Sequence, residues 1–229
     1  MSLSTGRGPL SPDPAGRFSA PVPAGVVYVE PYARRIRAVL DGQEVLDSER
    51  GLLVHRPGAP PTVAFPAEDI HGAPAEPETD APGHLRVPWD AVDTWYEEDE
   101  VVHGHLRNPY HRIDILNSSR RLRVEVGGTA LVDTTETVAL FETSLAPRLY
   151  VRPDTVAMDH LRPSPTTTHC PYKGTASYWT AVVGDLTVED VAWSYEDPVP
   201  EALPIRGMLS FYAHRAAVVA DLPTPSPIR

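Results

Sequence analysis

Apolar and polar residues alternate along several short segments of the chain, which is the period of a half-buried β-strand. In the clearest case, residues 122, 124 and 126 are apolar and residues 121, 123 and 125 are charged. Gly127 and Gly128 follow, and a second apolar run covers residues 129–132. This order predicts a β-hairpin. Residues 36–40 show the same alternation before Asp41-Gly42, a dipeptide typical of a type I′ turn.

The two hairpin patterns belong to a longer unit that occurs twice. Arg34 in the first copy corresponds to Arg120 in the second, an offset of 86 positions that holds without a gap as far as Ile70. Few residues are identical, so the shared apolar pattern supports the interpretation as a tandem repeat. We therefore expect a flexible arm at 1–24, a first β domain at 25–117, a second at 118–222 and a flexible tail at 223–229, with the junction near residues 117–119.

The second copy is longer than the first. Trp95 matches Trp193 at an offset of 98, so about 12 residues are added before Trp193. Alternation over residues 175–183 and a turn at residues 184–185 predict an added hairpin there. Apolar residues at 205, 208, 209 and 212 have helical spacing and predict a short closing helix. The expected fold is mainly β, with two small antiparallel domains in tandem and a short C-terminal helix.

Composition narrows the classes of partner and site. The formal net charge is -11, which argues against a surface that neutralises nucleic-acid phosphates. A single cysteine, Cys170, excludes an internal disulfide and a thiolate zinc cage. No apolar run approaches membrane-spanning length. We expect a soluble, cytoplasmic protein with no nucleic-acid or membrane partner, and we assign no cofactor and no metal site.

Candidate chemistry is concentrated in the second copy. Glu142 ends an apolar run, so its carboxylate is expected to be partly buried and to require a cation. Lys173 is the candidate partner. Aromatic side chains would then wall a pocket for an unknown small molecule, with these candidate ligand-binding residues: Glu142, Tyr172, Lys173, Tyr178, Trp179, Trp193 and Tyr195. The alternatives are a buried ion pair that only holds the hairpin on its sheet, and aromatics that only pack a core.

Two further groups of residues are candidates for chemistry. Cys170 is a tentative catalytic residue, because neighbouring His169 and Lys173 would favour its thiolate. The alternative is a small buried apolar residue without a reaction. His103 and His105, with His111 nearby, have a spacing that suits two metal ligands on one strand face, but no third ligand is fixed by spacing. Exposed loop histidines are the simpler interpretation.

Three blocks of the second copy resemble a known family. The first is Phe141-Glu142-Thr143 with Pro147 and Tyr150, the second is the segment 170–174 (Cys-Pro-Tyr-Lys-Gly) with residues 177–179 (Ser-Tyr-Trp), and the third is the segment 192–198 (Ala-Trp-Ser-Tyr-Glu-Asp-Pro). They resemble the domain of unknown function family 427 over residues 120–212, and the first copy lacks the middle block. The resemblance implies a small antiparallel β fold of the tent-like type. The family also carries a nucleotidyltransferase-like label, although the sequence has no Gly-Ser followed by paired aspartates and no phosphate loop.

These observations leave three functions open. The leading one is a small-molecule-binding domain or an unassigned enzyme with its pocket in the second copy. The second is a non-catalytic protein-interaction module, and the third is the nucleotidyl transfer implied by the family label alone. A homo-oligomer is also left open.

Overall fold

The computed structural model describes residue 3 and residues 6–222. The chain divides into two compact units, the first ending at His111 and the second beginning at Arg112. Residues 117 and 118, near which the sequence placed the junction, are the last two residues of a strand. Residues 6–24 form turns and bends without a strand. The tail predicted at 223–229 lies outside the described residues.

The first unit contains nine short strands in two antiparallel sheets. One sheet has the order β1-β4-β5-β7-β6 and the other has the order β3-β2-β8-β9. The strands are β1 (Tyr28–Pro31), β2 (Ile36–Leu40), β3 (Gln43–Ser48), β4 (Leu52–His55), β5 (Thr62–Pro66), β6 (Glu76–Pro77), β7 (His84–Arg86), β8 (Thr94–Glu97) and β9 (Glu100–Val102). Two 3₁₀ turns, Ala67–Asp69 and Trp89–Ala91, complete the unit.

The second unit has three antiparallel sheets, with the orders β10-β13-β14, β12-β11-β19 and β15-β16-β17-β18. Its strands are β10 (Ile113–Ser118), β11 (Leu122–Val126), β12 (Thr129–Thr134), β13 (Thr137–Glu142), β14 (Arg148–Tyr150), β15 (Leu161–Cys170), β16 (Gly174–Val183), β17 (Leu186–Ser194), β18 (Leu209–Phe211) and β19 (Ala217–Ala220). Its 3₁₀ segments are Pro153–Thr155, Met158–His160 and Pro200–Ile205. The mainly β fold class is confirmed.

Strand pairs in the two units have the same register at an offset of 86. Strand β1 aligns Tyr28 with His55 of β4, and β10 aligns Asp114 with Phe141 of β13. The β2–β3 and β11–β12 hairpins each contain a register shift, at positions 38/39 and 124/125. The same offset relates the β4–β5 pair to the β13–β14 pair.

Two apolar clusters pack the second unit. The larger one includes Val124, Leu131, Val151 and Leu209, all buried, and Trp179 packs against it. The other one is aromatic and lies around Tyr150 and Trp193, with buried Leu140 and Ile205. Successive residues of β16 and β17 point to opposite faces of their sheet, so each strand contributes to both clusters.

The closing helix predicted from residue 205 to residue 212 is wrong. Residues 200–205 form a 3₁₀ segment that contains Pro204. Leu209 then begins β18, where its backbone exchanges hydrogen bonds of 2.8 and 2.9 Å with Val151. The added hairpin is confirmed, because β16 and β17 turn at residues 184–185. Among the described residues, no helical segment has the length and apolar character that crossing a bilayer requires.

Candidate functional site

The turn between β15 and β16 presents Lys173 to the neighbouring sheet. The backbone N–H of Lys173 donates to the carbonyl of Cys170 at 3.2 Å, which closes the turn. Gly174 follows with φ of +98°, a conformation that favours glycine. A Cβ at this position would lie 3.2 Å from the carbonyl oxygen of Asp197, so the turn sits tightly against the chain after β17.

Lys173 and Glu142 form a largely buried ion pair. Lys173 Nζ lies 2.6 Å from Glu142 Oε2, and the side chains are 8% and 11% exposed. Glu142 is the last residue of β13, so the pair joins the β15–β16 turn to a different sheet. Removing both charges from water costs free energy, and the attraction between them offsets this cost only with good geometry and further hydrogen bonds.

Buried aromatic residues near Glu142 carry polar atoms. The indole N–H of Trp193 donates to the hydroxyl of Tyr150 at 3.1 Å. Burial, with the Glu142 carboxylate nearby, raises the pKa of Tyr150 above its ordinary value. Burial also raises the pKa of Tyr195, with smaller contributions from Tyr150, Cys170 and Glu142. Both phenols are therefore neutral hydrogen-bonding groups beside an ammonium and a carboxylate.

The structure brings most of the predicted residues to this region. Tyr178 and Trp193 are cross-strand partners of β16 and β17, and both belong to the aromatic cluster with Tyr195. Tyr172 is half-buried in the β15–β16 turn. Trp179 is separated from them, because it follows Tyr178 in β16 and faces the larger apolar cluster. Its indole N–H donates to Ser194 Oγ at 3.0 Å.

Cys170 is half-buried and packs against the aromatic cluster. The two residues expected to favour its thiolate have other partners. His169 Nδ1 lies 3.1 Å from Thr175 Oγ1, and the Lys173 ammonium contacts Glu142. Within the described part of the chain, no group of three or more His, Cys, Asp and Glu residues is placed to hold a metal ion.

Sequence reasoning missed three residues of the cluster: Arg148, Tyr150 and Tyr212. Arg148 and Tyr150 lie in β14, and Tyr212 lies in the segment after β18. Tyr150 belongs to the first motif block but was not assigned to the site. It also missed a direct signal, since Lys173 is the single lysine of the 229-residue chain. Every other Lys or Arg position of the chain is an arginine, so the one lysine, which lies in a buried ion pair, is a distinctive position.

The equivalent position in the first unit holds an ion pair of reversed sign. Arg56 occupies the place of Glu142 at the offset of 86, and its guanidinium contacts the carboxylates of Glu78 and Asp80. Glu78 is buried. Equivalent positions, Glu142 at the end of β13 and Arg56 directly after β4, thus carry a paired charge in both units, although the partner segments differ.

Comparison with known proteins gives one family match, within the second unit. Residues 114–222 match the family model described as Domain of unknown function (DUF427), whose label is NTP_transf_9. A search of curated proteins found no match to the chain.

Proposed function

We propose that the second unit, a domain of the DUF427 family, binds a small molecule at the Glu142–Lys173 pair. The observation that carries the proposal is this pair, with an Nζ–Oε2 distance of 2.6 Å and small but finite exposure of both side chains. A ligand at this point would meet one cation, one anion and the neutral hydroxyls of Tyr150 and Tyr195. Small-molecule sites characteristically combine a few convergent polar groups with an apolar and aromatic wall.

Comparison of the two units supports a role for the pair beyond packing. Strands β13 and β4 have the same register with their neighbours, yet their ends carry opposite charges. The shared register therefore does not require a glutamate and a lysine at this place. The aromatic side chains Tyr178, Trp193 and Tyr195 accompany the pair only in the second unit.

The competing interpretation is that the pair only ties the β15–β16 turn to β13. The reversed pair of Arg56 supports this view, because it also joins a strand end to a loop. The two interpretations differ in what replacing both charges does. Buried ion pairs often can be replaced by apolar or neutral groups without loss of stability, whereas a binding site loses its ligand.

A thermal-shift screen against a metabolite panel tests the proposal. A ligand that binds the native state raises the melting temperature in proportion to ln(1 + [L]/Kd). We expect at least one metabolite to stabilise the wild-type protein and to lose this effect in the double variant Glu142→Gln/Lys173→Met. Arg112→Gln, which removes an exposed pair with Asp114, is the matched control and should keep the effect.

Either of two results would overturn the proposal. One is a double variant that retains the full ligand-induced shift for every metabolite that acts on the wild type. The other is a screen in which nothing stabilises the wild type and the double variant is the more stable protein. Where a stabilising metabolite is also turned over, Cys170→Ser tests the proposed thiol chemistry, since a binding site without that chemistry would retain its function.

A protein-interaction module is the second candidate, and one surface favours it. Leu116 and Phe141 are 57% and 36% exposed. They line a surface cavity of about 480 Å³ with Ala139 and Arg120. Strand β10 is an edge of its sheet, so its backbone can pair with an added strand. Leu116→Lys should abolish association with a partner or a second copy in analytical ultracentrifugation, and a wild-type monomer with no partner would contradict this candidate.

We further propose that the two units arose by duplication of one β unit. The shared register of three strand pairs and the shared bulge position support this origin. Ion pairs within the hairpins support it too, since Arg35 binds Asp47 and Arg121 binds Asp133 at the same offset. If each copy folds around its own core, separately expressed units should each show a cooperative unfolding transition.

A further inference from the structure

Two arginine side chains lie on the aromatic cluster of the second unit. The guanidinium carbon of Arg148 is 5.7 Å from the centre of the Trp193 ring, and that of Arg215 is 6.0 Å from the centre of the Tyr212 ring. The two rings contact each other, with centres 4.3 Å apart. A guanidinium held over a ring keeps its in-plane N–H groups available, which is the geometry that binds carboxylate and phosphate oxygens.

Neither guanidinium forms an ion pair with a carboxylate of the described residues. Arg215 donates to the backbone carbonyl of Glu189 at 2.6 Å and contacts His214 Nε2 at 3.3 Å. Arg148 is exposed and has the Trp193 ring as its neighbour. By contrast, Arg152, also in the second unit, contacts the carboxylates of Glu136 and Asp154. Two positive charges without a carboxylate partner therefore lie on one aromatic cluster.

Hydroxyl groups converge on the same place. The hydroxyls of Tyr178 and Tyr212 are 3.4 Å apart, and the Thr168 hydroxyl lies 2.9 Å from that of Tyr178. Burial raises the pKa of Tyr212 to about 12, while the charges of Arg148 and Arg215 act in the opposite direction. Both positive charges therefore lie near this phenol, which remains protonated and able to donate a hydrogen bond at neutral pH.

A surface cavity of about 330 Å³ lies beside Arg215, although Arg148 and Tyr212 do not line it. His214 and Arg215 line it, opposite residues 127 and 128 of the β11–β12 turn and Leu186. Its volume lies at the lower end of the range for small-molecule sites. Glu125 also lines the cavity, and its negative charge would repel an anion bound on that side of the cavity.

We propose that Arg148, Arg215 and the Tyr212 hydroxyl bind the phosphate or carboxylate group of a small organic molecule. The inference deepens the proposed function and rests on it, because Tyr150 and Tyr195 of the same aromatic cluster lie near Glu142. The anionic group lies between the two guanidiniums, and the rest of the ligand extends along the rings. An anion bound by two arginines and a phenol gains charge-assisted hydrogen bonds that water does not offer in this arrangement.

Isothermal titration calorimetry with phenyl phosphate and with benzoate tests this site and distinguishes the two anionic groups. Ionic strength is held constant with sodium chloride, because exposed charges are screened by salt. We expect saturable binding of at least one probe to the wild-type protein. Each of Arg148→Gln and Arg215→Gln should raise the Kd about tenfold, the loss expected for one hydrogen bond to a charged group. Tyr212→Phe should raise it less.

Arg152→Gln is the matched control, since it removes an exposed arginine of the same unit and should leave the Kd unchanged. Thermal unfolding of every variant shows that the fold is retained. The proposal is overturned if neither probe binds saturably at millimolar concentration, or if both arginine variants bind as the wild type does. The double variant Glu142→Gln/Lys173→Met distinguishes the two proposals. If it binds the probe with wild-type affinity, the anion site is supported and is independent of the pair. Failure of the proposed function is then recognised separately from failure of the anion site.

Discussion

Replacing Lys173 with methionine removes the positive charge of the buried pair while keeping a side chain of similar length. At the observed Nζ–Oε2 distance of 2.6 Å and an effective dielectric constant of about 20, the attraction between the charges is about 6 kcal/mol. Desolvation of the two ions offsets much of this. In the variant, the desolvation cost of Glu142 remains without the attraction of the lysine. We therefore expect the free energy of unfolding to fall by about 3–5 kcal/mol.

The double variant Glu142→Gln/Lys173→Met removes both charges and leaves no ion buried at this place. Its unfolding free energy should lie within about 1 kcal/mol of the wild type or above it. Urea denaturation gives these values, and hydrogen exchange of β13 and of the β15–β16 turn assigns the loss to the second unit. Arg112→Gln should cost no more than about 1 kcal/mol, because its pair with Asp114 is exposed.

The reasoning would be refuted if Lys173→Met and Arg112→Gln destabilised the protein equally. That result would mean that the buried pair is hydrated in solution and behaves as a surface pair. The reasoning would also be refuted if the double variant lost as much unfolding free energy as the two single variants together. The two side chains would then contribute to stability independently and not as a coupled pair.

Three further perturbations have expected outcomes. Gly174→Ala should destabilise the protein more than Gly128→Ala in urea unfolding, because both glycines have positive φ but only at position 174 would a Cβ meet backbone, at 3.2 Å. The control Gly128→Ala should cost about 1–2 kcal/mol of unfolding free energy. Equal losses in the two variants would contradict the tight packing of the turn. The hydrogen bond to Glu30 raises the pKa of Tyr110 to about 12, so the stabilising contribution of this bond is complete below pH 10 and is lost between about pH 10 and 12. Tyr110→Phe should reduce this alkaline loss of unfolding free energy. An unchanged pH dependence of the unfolding free energy would count against the bond. His55→Phe should lower the unfolding free energy by about 1–3 kcal/mol, because it removes the 3.0 Å contact between His55 Nε2 and Glu30 Oε1; an unchanged unfolding free energy in the same assay would count against a stabilising role of this contact.

Local patterns predicted the strands and hairpins well, because alternation and turn residues act over a few positions. The hairpin at residues 36–48 and the added hairpin at residues 175–194 both form. The closing helix failed for a tertiary reason. Residues 205, 208, 209 and 212 have helical spacing, yet pairing of Leu209 with Val151 draws the segment into a strand. A spacing of three and four residues does not distinguish a helix from a 3₁₀ turn followed by a buried strand.

The candidate site was only partly predictable. Glu142 and Lys173 were identified because a carboxylate after an apolar run needs a cation, and their side chains do form an ion pair. Trp179 was wrongly grouped with Tyr178, since neighbouring residues of a strand face opposite sides. Tyr150 belongs to a motif block and Tyr212 follows β18, but tertiary packing alone brings both to the cluster, so no local pattern assigned them to the site.

The side-chain NMR signal of Lys173 tests the binding claim most directly. Lys173 is the only lysine, so protein labelled with ¹⁵N-lysine gives one ammonium resonance that needs no assignment. Our account predicts that a metabolite that stabilises the second unit shifts this resonance saturably, with the same Kd as the thermal shift. A resonance that stays unchanged while such a metabolite saturates the protein would contradict it.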